Sequence, residues 1–208
     1  MKNSILKVAY LSVALAAMLM PAAAQTTTAT PGDTPKPATI NQRKENQQDR
    51  VGQGIQSGQL TAGEASNLET KESNLNKEER LMRSEDNGKL TSADRKALTQ
   101  QQNQLSNQIY KDKHNSAVQN TDPASKVGER AENQQDRIAQ GVNSGQLTAG
   151  EAAKLEKGEA GINREVSADR KANGGTLTQT QKEQFNKQQN KTSARIYKAK
   201  HNSFRQRP

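Results

Sequence analysis

The stretch SGQLTAGEA at residues 57–65 returns without a substitution at residues 144–152. Its reading decides the fold. Gly58 is placed to take the left-handed conformation that ends a helix, and Leu60 is an apolar residue just ahead of a cap. Thr61-Ala62-Gly63-Glu64 is a capping box, in which the Thr hydroxyl accepts from the backbone N–H three residues on and the Glu side chain reaches back to the N–H of Thr61. A helix stop is followed at once by a helix start. The device recurs as Gly88-Lys89-Leu90-Thr91 with Asp94, and in the second copy as Gly145-Gln146-Leu147-Thr148 with Glu151 and Gly175-Thr176-Leu177-Thr178 with Gln181. Links this short favour antiparallel neighbours.

Sliding the chain by 87 positions aligns far more than these nine residues. ENQQDR at 45–50 falls on 132–137, Leu68 on Leu155, Leu75 on Ile162, IYK at 109–111 on 196–198, and KHNS at 113–116 on 200–203, with no gap. One unit of about 80 residues has been duplicated whole. The expected architecture is therefore all-α, with two tandem repeats at 39–121 and 126–208, each a three-helix antiparallel unit. A linker at 122–125 joins them, marked by Pro123, which disfavours helix at Asp122. In the middle helices Ala65, Leu68, Glu72, Leu75, Glu79 and Met82 recur three and four apart, matched by Ala152, Leu155, Glu159, Ile162 and Val166. The third helices offer Leu98, Leu105 and Ile109 against Phe185, Thr192 and Ile196, with Gln102 and Gln189 between, and the first offer Ile40, Val51 and Ile55 against Val127, Ile138 and Val142.

Residues 1–24 are a different kind of chain. Lys2 and Lys7 precede an apolar run at 8–20, and Pro21-Ala22-Ala23-Ala24 supplies small residues for cleavage before Gln25. This predicts a secretory signal peptide, and hence a periplasmic or secreted protein with no integral membrane span once the signal is removed. Residues 25–38, with Pro31, Pro35 and Pro37, read as a disordered Thr/Pro-rich tether. The absence of Cys excludes a disulfide framework and a thiolate metal site. Leu, Ile, Val and Phe supply only 23 of the 184 residues from Gln25 onward, whereas Asn and Gln supply 40. Seams this thin predict narrow bundles of modest stability that behave as near-independent units joined at Asp122-Pro123, with long hairpins that complete their burial only by packing unit against unit or chain against chain as the alternative.

Gly-x-Leu-Thr-x-x-Glu resembles the second half of an EF-hand loop. With Gly145 at the central glycine, Leu147, Thr148 and Glu151 fall in register, but the positions that family fills with Asp or Asn are Gln140, Val142 and Ser144, and in the first repeat Gln53, Ile55 and Ser57. A calcium ion needs several hard oxygen ligands, so a calcium-responsive module is the alternative and capping the simpler account. His114 and His201 sit in YKxKHN contexts that suit helix C-termini, where cations offset the dipole and Asn tolerates a left-handed cap. No nucleophile elbow, phosphate loop or metal motif is present, so no catalytic residue, metal ligand or cofactor is expected.

Charge is unevenly placed. Counting Lys plus Arg against Asp plus Glu, residues 41–120 give 12 − 11 = +1, whereas 126–208 give 16 − 9 = +7. On the last helix Lys187, Lys191, Arg195, Lys198 and Arg205 fall within an arc of about 80° at 100° per residue, opposite Phe185, Thr192 and Ile196. The matching positions in the first repeat are Gln100, Gln104, Gln108, Lys111 and Val118. A stripe of cations of this kind suits an anionic polysaccharide, lipopolysaccharide or extracellular DNA. The sparse seams leave self-assembly into a homo-oligomer as a further structural role.

The combined pattern ENQQDR, GQLTAGEA, RKANGG and IYKxKHN resembles a group of uncharacterised exported proteins of Gram-negative bacteria that carry one or two copies of this unit. The resemblance spans most of residues 41–204 and implies a periplasmic or secreted setting, with no activity attached.

Overall fold

The structure is a computed structural model and describes residues 37–206. The predicted signal peptide and most of the predicted tether lie outside the described residues. Six helices follow in order: α1 (Ile40–Gln56), α2 (Ala62–Glu85), α3 (Ser92–Lys113), α4 (Lys126–Asn143), α5 (Ala149–Ala172) and α6 (Gln179–Lys200). The chain is all-α, two tandem three-helix units. Capping boxes form at Thr61, Thr91, Thr148 and Thr178, the four predicted junctions, and also at Thr39 with Gln42.

The repeated nine residues are tied to a second repeated motif far along the chain. Glu64 uses Oε2 to accept from the backbone N–H and hydroxyl of Thr61, and Oε1 to accept from Asn115 Nδ2 at 2.7 Å. Gln119 donates its backbone N–H to Gly58 O and accepts from Ala62 N–H through its side chain. Glu151, Asn202 and Gln206 repeat both arrangements. The segment after the third helix thus clamps the first turn of the second, so the two motifs persist together. Gly54 and Gly141 serve the same corner. Each carbonyl accepts from the N–H of Leu60 or Leu147, and an added Cβ would stand 2.6 Å from the side chain of that Leu.

These glycines give a prediction that runs against helix propensity. Gly54→Ala and Gly141→Ala will each destabilise the protein by about 1–3 kcal/mol through overpacking. Gly158→Ala and Gly161→Ala, in α5 with nothing within 4 Å of the added Cβ, will stabilise it by about 0.5–1 kcal/mol each. Urea midpoints of the four single variants check both signs.

The units do not stand apart. α2 lies antiparallel along α5, and α1 antiparallel along α4. α3 packs on α1 and α2 within the first unit, and α6 on α4 and α5 within the second. Ser66 Oγ donates to the carbonyl of Ala153, its own counterpart 87 residues on, at 2.9 Å. That contact puts a pseudo-two-fold relation through the α2–α5 seam. One apolar cluster draws on both units, including Val51, Ile55, Leu68 and Leu105 from the first and Ile138, Val142, Leu155 and Ile196 from the second. The expectation of near-independent units is corrected: the helices of one unit pack on those of the other. The joint is also pinned rather than loose. Arg170 pairs with Asp122 at 2.8 Å and donates to Ser125 Oγ, Thr121 Oγ donates to Glu132, and Gly128 admits the carbonyls of Thr121 and Asp122 against α4.

The scarcity of apolar residues is met with amide side chains. Sixteen polar or charged residues are buried among the described residues beside twenty-six apolar ones. ENQQDR supplies four of them. Gln47 Nε2 donates to Gln102 O and Ser106 Oγ, Gln102 donates to Ile40 O, and Gln48 donates to Glu69. Gln134, Gln189 and Gln135 repeat the set with Ser193, Val127 and Glu156. Buried amides that bond helix carbonyls avoid the cost of unpaired donors, so Gln can occupy seam positions that Leu would otherwise fill.

Candidate anion-binding face

α6 turns Phe185, Gln189, Thr192 and Ile196 into the protein, and those four positions fix what lies opposite. Lys187, Lys191, Arg195 and Lys198 are all exposed, and none of them forms an ion pair among the described residues. Over eleven residues at 1.5 Å each they span about 16 Å. In the first unit the face is different in kind. Gln108 donates to Asp112 at 2.7 Å, and the counterpart of Asp112 in the second unit is Ala199. The duplicated scaffold therefore carries three glutamines and the single cation Lys111 at these positions of α3, and four unpaired cations on α6.

Arg205 does not belong to that face. α6 ends at Lys200 with His201 as its C-cap, and Arg205 lies in the following irregular segment, where its guanidinium donates to the carbonyls of Asn202 and Phe204. The helical arc drawn through Arg205 fails because the Asn202–Glu151 contact turns the chain toward the start of α5. There Arg205 lines a cleft of about 710 Å³ with Arg80, Arg83, Phe204 and Gly150. Arg80 and Arg83 were not among the expected site residues, since α2 shows no cationic stripe in sequence. Their neighbour Lys44 is buried and pairs with Glu79 at 2.8 Å, as does Arg83 at 2.7 Å. Burial pushes the Glu79 carboxyl upward, but these two cations outweigh it and hold it below its ordinary value.

The remaining candidates are engaged locally. Glu64 and Glu151, the closing residues of the EF-hand resemblance, spend their oxygens on Thr and Asn donors as described above. Among the described residues no group of three or more His, Asp or Glu side chains is arranged to hold a metal ion. His114 and His201 cap α3 and α6. Each ring donates from Nδ1 to the carbonyl of Tyr110 or Tyr197 and stacks on that tyrosine, with centroids 4.2 and 4.1 Å apart. Among the described residues no helix is long and apolar enough to cross a membrane. No protein-family model, curated protein or solved structure matches the chain.

Proposed function

We propose that this is a non-enzymatic, exported helical repeat protein, periplasmic or secreted, whose second unit holds an anionic polymer on the outer face of α6. The observation that carries the reading is the row of four exposed cations without acidic partners on a helix whose duplicate has three glutamines and one lysine at the same positions. Binding to such a row is electrostatic. Each phosphate, sulfate or carboxylate that it engages releases condensed counterions, so affinity falls steeply with salt and is indifferent to sequence. Readout of nucleobases is disfavoured, because the rings near the row are few: Tyr197, exposed but with one face stacked on His201, and the exposed Phe204.

The expected result is retention of the protein on heparin with elution at moderate salt. A variant carrying Lys187→Gln, Lys191→Gln, Arg195→Gln and Lys198→Gln will elute near the void, and its log–log salt slope for lipopolysaccharide or DNA will be smaller by about 3 to 4, roughly one for each cation removed. A control carrying Gln substitutions at Lys71, Lys77, Lys89 and Lys96, exposed cations of the first unit, will keep most of its retention. Equal loss in both variants would reduce the row to a solubilising surface.

A further inference from the structure

The α2–α5 seam carries a layer of acid that the anion-binding reading does not use. Glu69 and Glu72 on α2 and Glu156 and Glu159 on α5 are each 0–1 % exposed. They form two Glu-x-x-Glu pairs related by the pseudo-two-fold, Glu69-Thr70-Lys71-Glu72 and Glu156-Lys157-Gly158-Glu159. Their donors are few. Gln48 reaches Glu69 at 3.2 Å and Gln135 reaches Glu156 at 3.0 Å. Glu69 Oε1, Glu156 Oε1 and both oxygens of Glu72 and of Glu159 have no hydrogen-bond partner among the described residues. Of the fourteen buried side-chain polar atoms left unpartnered among the described residues, thirteen are acceptors and one, Asn163 Nδ2, is a donor. The interior is short of hydrogens at the place where its carboxyls gather.

Charges facing this layer do not make up the shortfall. α1 contributes Lys44, already paired with Glu79 of α2, and Arg83 of α2 holds the same carboxylate. The buried residues of α3, α4 and α6 include no titratable side chain. In the second unit the counterparts of Lys44 and Glu79 are Ala131 and Val166, so Glu159 has no buried cation on its own unit. Four ionised carboxylates with no cation to spare would cost far more than an interface of this size returns.

We propose that the Glu69, Glu72, Glu156 and Glu159 layer is a proton-held seam: the two units close on one another with these carboxyls protonated and loosen as the protons leave. Each carboxyl that keeps its proton gains an O–H donor for a neighbouring orphaned oxygen, which a carboxylate lacks. Burial raises Glu69 to about 8, with Glu72 adding to the rise against the Gln48 bond. Burial likewise raises Glu159 to about 8, and Glu72 to about 7 against the pull of Lys44. Glu156 lies well above its ordinary value through burial, with Glu159 and Glu69 pushing the same way. A folded value above the unfolded one means stability fully present below about pH 4.5 for these groups and lost progressively as pH rises to about 8. Glu79 runs opposite, losing its contribution only as pH falls through its lowered value, so the window to read is pH 5 to 9.

The test is urea unfolding of the full chain across that window, beside a variant with Glu69→Gln, Glu72→Gln, Glu156→Gln and Glu159→Gln. The wild-type folding constant is expected to drop about a hundredfold or more between pH 5 and pH 9, while the amide variant stays nearly level and exceeds wild type at pH 9. Should the fourfold variant not fold, the pair Glu69→Gln and Glu156→Gln with half the slope, and loss of a protonated-carboxyl infrared band in wild type between pH 6 and pH 9, carry the same content. A wild-type profile that is flat, or a slope retained in the variants, overturns the proposal. So does recovery of wild-type stability at pH 9 by millimolar magnesium, calcium or manganese chloride that the variants do not share, because the layer would then hold a cation in place of protons.

Discussion

Phe185→Ala is expected to lower the stability of the whole chain by about 3–5 kcal/mol, in a single transition shared by both units. Phe185 is fully buried and forms, with Val127, Ile162, Val166 and Leu177, a second apolar cluster that lies wholly within the second unit. It is the one aromatic side chain in the core of the described residues. Its ring stands where the first unit has Leu98, and Val166 of the same cluster stands where the first unit has Glu79, while Ala131 replaces the Lys44 that pairs with that Glu. The second unit has a larger ring and two apolar side chains where the first has Leu98 and a buried ion pair, so truncation opens a cavity among the apolar side chains of this cluster, which water does not favour. For a domain of this size about 3–5 kcal/mol corresponds to a fall in melting temperature of roughly 6–20 °C. Leu98→Ala, at the counterpart, will cost about 2–5 kcal/mol. Scanning calorimetry separates this from the near-independent alternative: one transition moved by either variant indicates a shared core, whereas two transitions with only one moved would show units that melt alone.

Much of the fold was legible because it is written in local signals. A Gly, an apolar residue and a Thr followed three positions later by an acid or amide mark each turn by chemistry confined to seven residues, and the 87-residue offset assigns the second unit once the first is read. The three-and-four spacing through Leu68, Glu72, Leu75 and Glu79 marked the buried face of α2 correctly, acids included. What stayed hidden was the meaning of the polar residues on it. Gln102 stood on the expected seam of α3 and is buried there, but Gln47 and Gln48 of α1 have the composition of a solvated surface, and only the proximity of α1 to α2 and α3 shows that each amide serves a neighbouring helix. The same limit applies to the candidate site. Lys187, Lys191, Arg195 and Lys198 were readable from helical spacing, since nothing but their own helix positions them. Arg205 was misplaced because the end of α6 is set by a contact with Glu151, fifty-one residues earlier in the chain. Arg80 and Arg83 reach the cleft through the packing of α2 on the start of α5, which no spacing within α2 encodes.

Cutting the polypeptide between the units should leave one particle, not two. The cut belongs at Pro123-Ala124, where both residues are exposed, through an inserted protease site that keeps the Asp122–Arg170 pair and the Ser125 cap. Each unit alone would present to water one side of the principal cluster. In the first unit that is the α1 and α2 surface with Val51, Ile55 and Leu68, and in the second the surface carrying Ile138, Val142 and Leu155. It would also expose half of the acid layer, where solvated carboxyls would ionise and no longer match their partner. The fragments are therefore expected to co-elute at the mass of the uncut chain, to come apart only in denaturant, and to regain full helicity only on mixing. Melting of the nicked protein should become concentration-dependent, because severing the link replaces an effective concentration of order millimolar by the concentration in the tube. Stability of the nicked complex should fall with rising pH as that of the intact chain does, since both rest on the same buried carboxyls. Fragments that separate at micromolar concentration and are each helical would show that the α2–α5 and α1–α4 contacts add little to units already stable alone.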